Sequence, residues 1–112
     1  MRAEQRKKRV LLDECMPQDS RLALDAHHVE TARYAGLSDT DDGDLLRAMP
    51  GRFDVLITAD RALPLQQNIS GRPFAVVVVR TPHNLLEELL PLAPKILLAV
   101  AEAVPGEVRL VA

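Results

Sequence analysis

Apolar residues in this chain gather in short unbroken runs, with stretches of helical spacing between them. Residues 9–13 (RVLLD) and 53–58 (FDVLIT) are two such runs leading into acids, and 74–79 (FAVVVV) is the most strand-like segment of all. A continuous apolar run marks a strand buried on both faces, because both sides of its pleat must then be apolar. Residues 28–31 (HVET) alternate briefly, and residues 107–111 (EVRLV) alternate well enough for a final edge strand.

Helical signals fill the gaps. Pro17 sits where a first helical turn would start, and Leu22 with residues 24–26 carries a short amphipathic helix ending before His27. Residues 38–44 (SDTDDGD) offer several N-caps, and Leu45, Leu46 and Met49 then keep helical spacing until Pro50 and Gly51 stop it. Thr81 before Pro82 pairs a good N-cap with proline at the first helical position, and Leu85, Leu86, Leu89 and Leu90 follow as an apolar stripe. Pro91 and Pro94 interrupt that stripe, which predicts a separate helix over residues 95–104, packed back on the domain. Strands alternating with helices predict βαβ crossovers and an α/β fold. The expectation is a mostly parallel sheet of four to five strands, ordered about 2-1-3-4, with helices on both faces. One domain then spans residues 1–112, with residues 1–8 as a basic tail, and no repeat or linker divides it.

Composition sharpens this picture. The 112 residues are 47% hydrophobic but only 3% aromatic, without tryptophan, so the core must be built from Leu, Val, Ala and Ile, which suits layered helices and strands. The single cysteine, Cys15, cannot close an internal disulfide, which fits a reducing compartment; it reads as a small buried residue. No apolar run approaches bilayer length, and the basic start lacks the apolar stretch of a signal peptide. The expectation is a cytoplasmic protein with no membrane partner. A net charge of −2 means that any nucleic-acid binding must come from a local basic patch. Arg6, Lys7, Lys8 and Arg9 form the obvious cluster, which reads as a solvated tail.

Open parallel sheets bind ligands beyond the carboxyl ends of their strands, so the acids there matter most. Asp13 and Glu14 end the first strand, Asp60 follows the third, and Asp41, Asp42 and Asp44 open the helix between them. Neighbouring strands would bring these segments to one cation. Crowded carboxylates raise one another's pKa unless a cation neutralises them, and hard oxygen donors select Mg²⁺ or Mn²⁺. Simpler roles exist for each. Asp41 and Asp42 suit a helix dipole, Asp44 suits solvent, Asp60 suits a cap on a short helix over residues 61–67, and Glu14 has two equal readings, joining the cleft or pointing away from it. An acid ending a buried strand, as Asp13 does, needs a partner. Arg61 and Arg80 are placed either to hold a substrate phosphate or to form structural ion pairs. His27, His28 and His83 have no zinc-ligand spacing.

Taken together, RVLLDECMP, HHVETARYAGLSDTDDGDLLRAM, FDVLITADRAL and FAVVVVR resemble the DUF5615 group of PIN-like proteins over residues 9–104. The resemblance implies a compact three-layer PIN-like fold and a Mg²⁺- or Mn²⁺-dependent ribonuclease, typically the toxin of a toxin–antitoxin pair. RNA as substrate and a small antitoxin protein as partner come with it. By the same resemblance Asp13 is the first PIN acid, Asp60 the acid of the T-x-D motif, and Asp42 the acid opening the preceding helix. Those three are the expected catalytic residues, with Asp44 and Glu14 completing the metal set. Where the group reads T-x-D-x-D-F, this chain has Thr58, Ala59, Asp60, Arg61, Ala62 and Leu63, without the second acid and the aromatic. The long segment carrying a further acid in full-length PIN nucleases is also missing. Two other readings therefore stand beside the nuclease. One is a PIN-like module that binds a partner or RNA without cleaving. The other is a receiver-like phosphoacceptor domain, with Asp60 as acceptor and Thr81 as its hydroxyl, which fails on the lysine required after the fifth strand, because Lys95 lies in a Pro-flanked helical segment. The leucine-rich residues 85–98 either cover the domain's own sheet or face a second copy of the chain.

Overall fold

The computed structural model describes residues 7–112. Five strands, β1 (Arg9–Leu12), β2 (His28–Thr31), β3 (Val55–Thr58), β4 (Ala75–Val79) and β5 (Val108–Val111), form one sheet in the order β2-β1-β3-β4-β5. Every neighbouring pair is parallel. β3 and β4 are buried throughout, and β1 is buried except at Arg9, which is why they read as unbroken apolar runs. The half-exposed β2 and β5 are the edges, as their alternation predicts.

Alternate residues of the strands feed two separate cores. Val10, Leu12, Val55, Ile57, Val77 and Val79 pack with Leu24, Leu89, Ile96 and Val100, whereas Leu11, Leu56, Val76 and Val78 pack with Leu45, Leu46, Met49 and Leu63. The second group belongs with α1 (Asp42–Ala48) and α2 (Leu63–Gln66). The first belongs with a 3-10 helix (Gln18–Leu24), with α3 (Leu86–Leu89) and, after a 3-10 turn (Leu90–Leu92), with α4 (Ala93–Ala101). The leucine-rich region thus covers its own sheet: Leu89 and Ile96 are buried, and Leu85, Leu90 and Leu98 remain exposed.

Local structure departs from expectation in three places. The segment after Pro17 is a 3-10 helix instead of an α-helix, and Pro17 precedes it instead of opening it. The Ser20 amide and hydroxyl both donate to the Pro17 carbonyl, which closes an i to i+3 turn. Thr81 and Pro82 start no helix. The Thr81 hydroxyl accepts from the Asn84 amide at 2.9 Å, but Asn84 then turns left-handed (φ 54°), so the chain restarts as α3 at Leu86. Finally, the basic cluster is not wholly a solvated tail. Arg6 lies outside the described residues, but Lys8 Nζ donates to the carbonyls of Ala101 (3.1 Å) and Ala103 (2.9 Å), holding a positive charge at the carboxyl end of α4. Arg9 pairs with Asp54 at 3.1 Å. Both contacts lie at the amino ends of the strands, so these cations serve the fold at the edge away from the acids.

Candidate functional site

The β1–β3 ladder continues one step past its strands, with the Asp13 amide donating to the Ile57 carbonyl at 2.9 Å. That step sets Asp13 beside Thr58, whose fully buried hydroxyl donates to Asp13 Oδ2 at 2.7 Å. The Glu14 amide donates to Asp13 Oδ1 at 2.8 Å. Both carboxylate oxygens are therefore fixed, the Cys15 thiol is a second donor to Oδ2 at 3.6 Å, and Oδ1 keeps a lone pair for another partner. The partners that the fold gives this strand's terminal acid are thus a hydroxyl and an amide.

Thr58 also organises the next acid. Its hydroxyl oxygen accepts from the Asp60 amide at 3.0 Å, and Asp60 Oδ1 accepts from the Ala62 amide at 2.9 Å. Asp60 thereby shapes the turn into α2, which opens at Leu63. Asp42 arrives from a third segment, as the first residue of α1, behind the N-cap Asp41, whose side chain accepts from the Asp44 amide at 2.8 Å. The Asp42 carboxyl is pushed above its ordinary range by partial desolvation, then by the negative charges of Asp60, Asp13 and Asp41. Asp13, Asp42 and Asp60 therefore share one electrostatic neighbourhood at the carboxyl edge of the sheet.

The other acids stand apart. Asp44 is ion-paired with Arg47 one turn along α1, and that cation holds its carboxyl below the ordinary range. Glu14 turns aside, its Oε1 accepting from the Asp39 amide at 2.9 Å. Arg61 and Arg80 line one open depression of about 690 Å³ beyond β4, with Thr81, His83 and Asn84. Asn84 ties that depression to the loop after β1, its side-chain amide donating to the Cys15 carbonyl.

Two residues at the site escaped sequence reasoning in these roles. Thr58, the hub of the acids, carried a signal only as part of a T-x-D motif. Cys15 is exposed as a residue, not buried, yet its Sγ lies 3.6 Å from Asp13 Oδ2 and 3.5 Å from Thr58 Oγ1, and accepts from the Ala59 amide at 3.4 Å. Desolvation of the sulfur pushes the thiol up, which keeps it protonated and unsuited as a nucleophile.

As donors, these oxygens suit a hard divalent cation, and their mutual repulsion would be relieved by one. Among the described residues, however, no three His, Cys, Asp or Glu side chains are gathered closely enough to hold a metal ion directly. Mg²⁺ commonly takes only one or two carboxylates and keeps several waters, so a wide acid group suits it better than a closed protein cage. Comparison of the chain with protein-family models, curated proteins and solved structures finds no match.

Proposed function

We propose that this chain is a metal-dependent ribonuclease of PIN-like type, with its helices and sheet arranged as PIN-like layers and Asp13, Asp42 and Asp60 as catalytic carboxylates. The observation that supports it best is the electrostatic convergence of Asp42 on Asp60 and Asp13, three acids from separate segments beyond the carboxyl ends of parallel strands. Such a group opposes folding unless something neutralises it, and Mg²⁺ or Mn²⁺ matches its oxygen donors. When bound, the ion supplies activation of water and neutralises charge developing on the phosphodiester. The protein's part is to hold the carboxylates in place: Thr58 and the Glu14 amide orient Asp13, and the Ala62 amide orients Asp60. Arg61 and Arg80 hold neighbouring phosphates of the RNA. A toxin role with a small antitoxin partner in the cytoplasm belongs to the same proposal.

A second reading, the receiver-like phosphoacceptor, is favoured by one observation: the order β2-β1-β3-β4-β5 is also that of doubly wound signalling domains. The lysine it requires is the weak point, because Lys95 Nζ donates to the Ala112 carbonyl at 3.3 Å rather than to Asp60. Incubation with a small phosphodonor separates the two, since only a receiver forms an aspartyl phosphate at Asp60.

Asp42→Asn tests the ion site. A carboxyl whose folded pKa is raised holds its proton more tightly in the native chain than in the unfolded one. Its cost to stability is therefore present at neutral pH and vanishes as pH falls below the ordinary value of 3.8. The variant is expected to show a slightly higher urea midpoint than wild type at about pH 7, and the same midpoint at about pH 3. The gain stays small because solvent screens the group and the α1 dipole favours an acid there. Added Mn²⁺ should reverse the order, raising the wild-type midpoint more than the variant's, since an ion that binds only the folded state stabilises it. Equal midpoints with and without Mn²⁺, together with intact RNA, would leave a non-cleaving binding module as the better description.

A further inference from the structure

Beside Asp13 the surface does not close. A depression of about 380 Å³ lined by Asp13, Gln18, Thr31 and Arg33 shares the last three with, or adjoins through them, a second of about 540 Å³ that also takes in Arg21 and Tyr34. Joined at Gln18, Thr31 and Arg33, the two form one groove running from Asp13 toward the β2 edge of the sheet. Tyr34 is 81% exposed, whereas the chain's other aromatics, Phe53 and Phe74, are buried in the core. Its backbone is held, with the Tyr34 amide donating to Thr31 Oγ1 at 3.1 Å and the Ala35 amide to the Thr31 carbonyl at 2.9 Å. A flat ring is thus presented to solvent from a fixed turn. Arg21 and Arg33 are both exposed, and among the described residues neither forms an ion pair, in contrast to Arg9, Arg47 and Arg109.

We propose that this groove is the track for a single-stranded nucleic acid, with Arg33 and Arg21 holding successive phosphates and Tyr34 stacking on one unpaired base. The inference deepens the nuclease reading and rests on it for direction, because the groove leads to Asp13. The chemistry favours a single strand over a duplex. A stacking platform needs a base that is not already stacked and paired, and two cations spaced along one groove follow one backbone. Glu30, which also lines the Tyr34 half, is an acceptor that suits an exocyclic base amino group rather than a phosphate. In the Asp13 half, Glu14 and Asp39 repel an unshielded phosphate, so contact there depends on the divalent ion. The Tyr34 half depends on no ion, and that separates the two proposals experimentally.

The test is fluorescence anisotropy of a short labelled single-stranded RNA in EDTA, where no cleavage occurs, with matched DNA and duplex RNA as comparisons. Wild type should bind the single strands better than the duplex. Tyr34→Ala should weaken binding by roughly 5- to 150-fold, the range expected when one base–aromatic stack is lost, and Tyr34→Phe should restore it. Arg33→Gln should flatten the salt dependence by about 0.7 in the slope of log K against log salt, as expected for one lost phosphate contact on a single strand. Tyr34→Ala binding as wild type does, a preference for duplex, or no binding in EDTA would overturn the groove. Cleavage with Mn²⁺ is scored separately. RNA bound through Tyr34 but never cut removes the nuclease and leaves the groove, while cutting that ignores Tyr34, Arg33 and Arg21 removes the groove and leaves the nuclease.

Discussion

Asp13→Asn is expected to reduce Mn²⁺-dependent RNA cleavage by about 100-fold or more while leaving the fold intact. Loss of a residue that merely supports a metal ligand typically costs 10- to 100-fold, so loss of a ligand's own charge should cost no less. Asn keeps the shape and an oxygen for the buried Thr58 hydroxyl, while its NH2 replaces the acceptor of the exposed Glu14 amide, which solvent can satisfy. Asp13→Ala is less informative alone, because it strips the Thr58 donor of its acceptor inside the protein and should cost about 1–3 kcal/mol of stability. Cleavage of a labelled RNA in Mn²⁺, run beside urea denaturation of both variants, makes the distinction. An Asn variant that cuts at the wild-type rate would remove Asp13, and with it the proposed site.

A second large effect is expected at Phe74, on stability. The side chain is 0% exposed just before β4, in the same core as Leu46, Met49 and Leu63, and its carbonyl accepts from the Gly106 amide at 2.8 Å. Phe74→Ala should cost about 3–5 kcal/mol, the range for emptying an aromatic site that cannot collapse. Small domains hold only about 5–15 kcal/mol in all, so the variant should sit near the edge of folding and melt at least about 10 °C lower. Urea denaturation and calorimetry read this directly. A loss below about 1 kcal/mol would mean that this core is not packed as described. Any fall in cleavage by Phe74→Ala should track the unfolded fraction, whereas Asp13→Asn should lose activity while fully folded.

Much of this arrangement is legible in the chain. The three inner strands follow from the apolar runs, because a strand covered on both faces has nowhere to put a polar residue except at its ends, and the two edge strands follow from alternation. The α1 start is legible as well, since Asp41 caps it as its residue type predicts. Short elements were less readable. Nothing local distinguishes a 3-10 turn at Gln18–Leu24 from an α-helix, and the left-handed Asn84 that delays α3 is set by its contact with the loop after β1. Long side chains were least readable: Lys8 crosses to the end of α4.

What the chain determined by itself was which segments become strands and which acids stand at their carboxyl ends, since both depend on local runs of residue type. Only the tertiary structure decided that β5 joins beside β4, that Thr58 bonds Asp13 across 45 positions, and that Asp42 feels Asp13 and Asp60. It alone set Arg21, Arg33 and Tyr34 along depressions that adjoin Asp13. The physical reason is that apolar burial is written residue by residue, whereas hydrogen bonds and repulsion between charges depend on a few ångströms that no separation along the chain specifies.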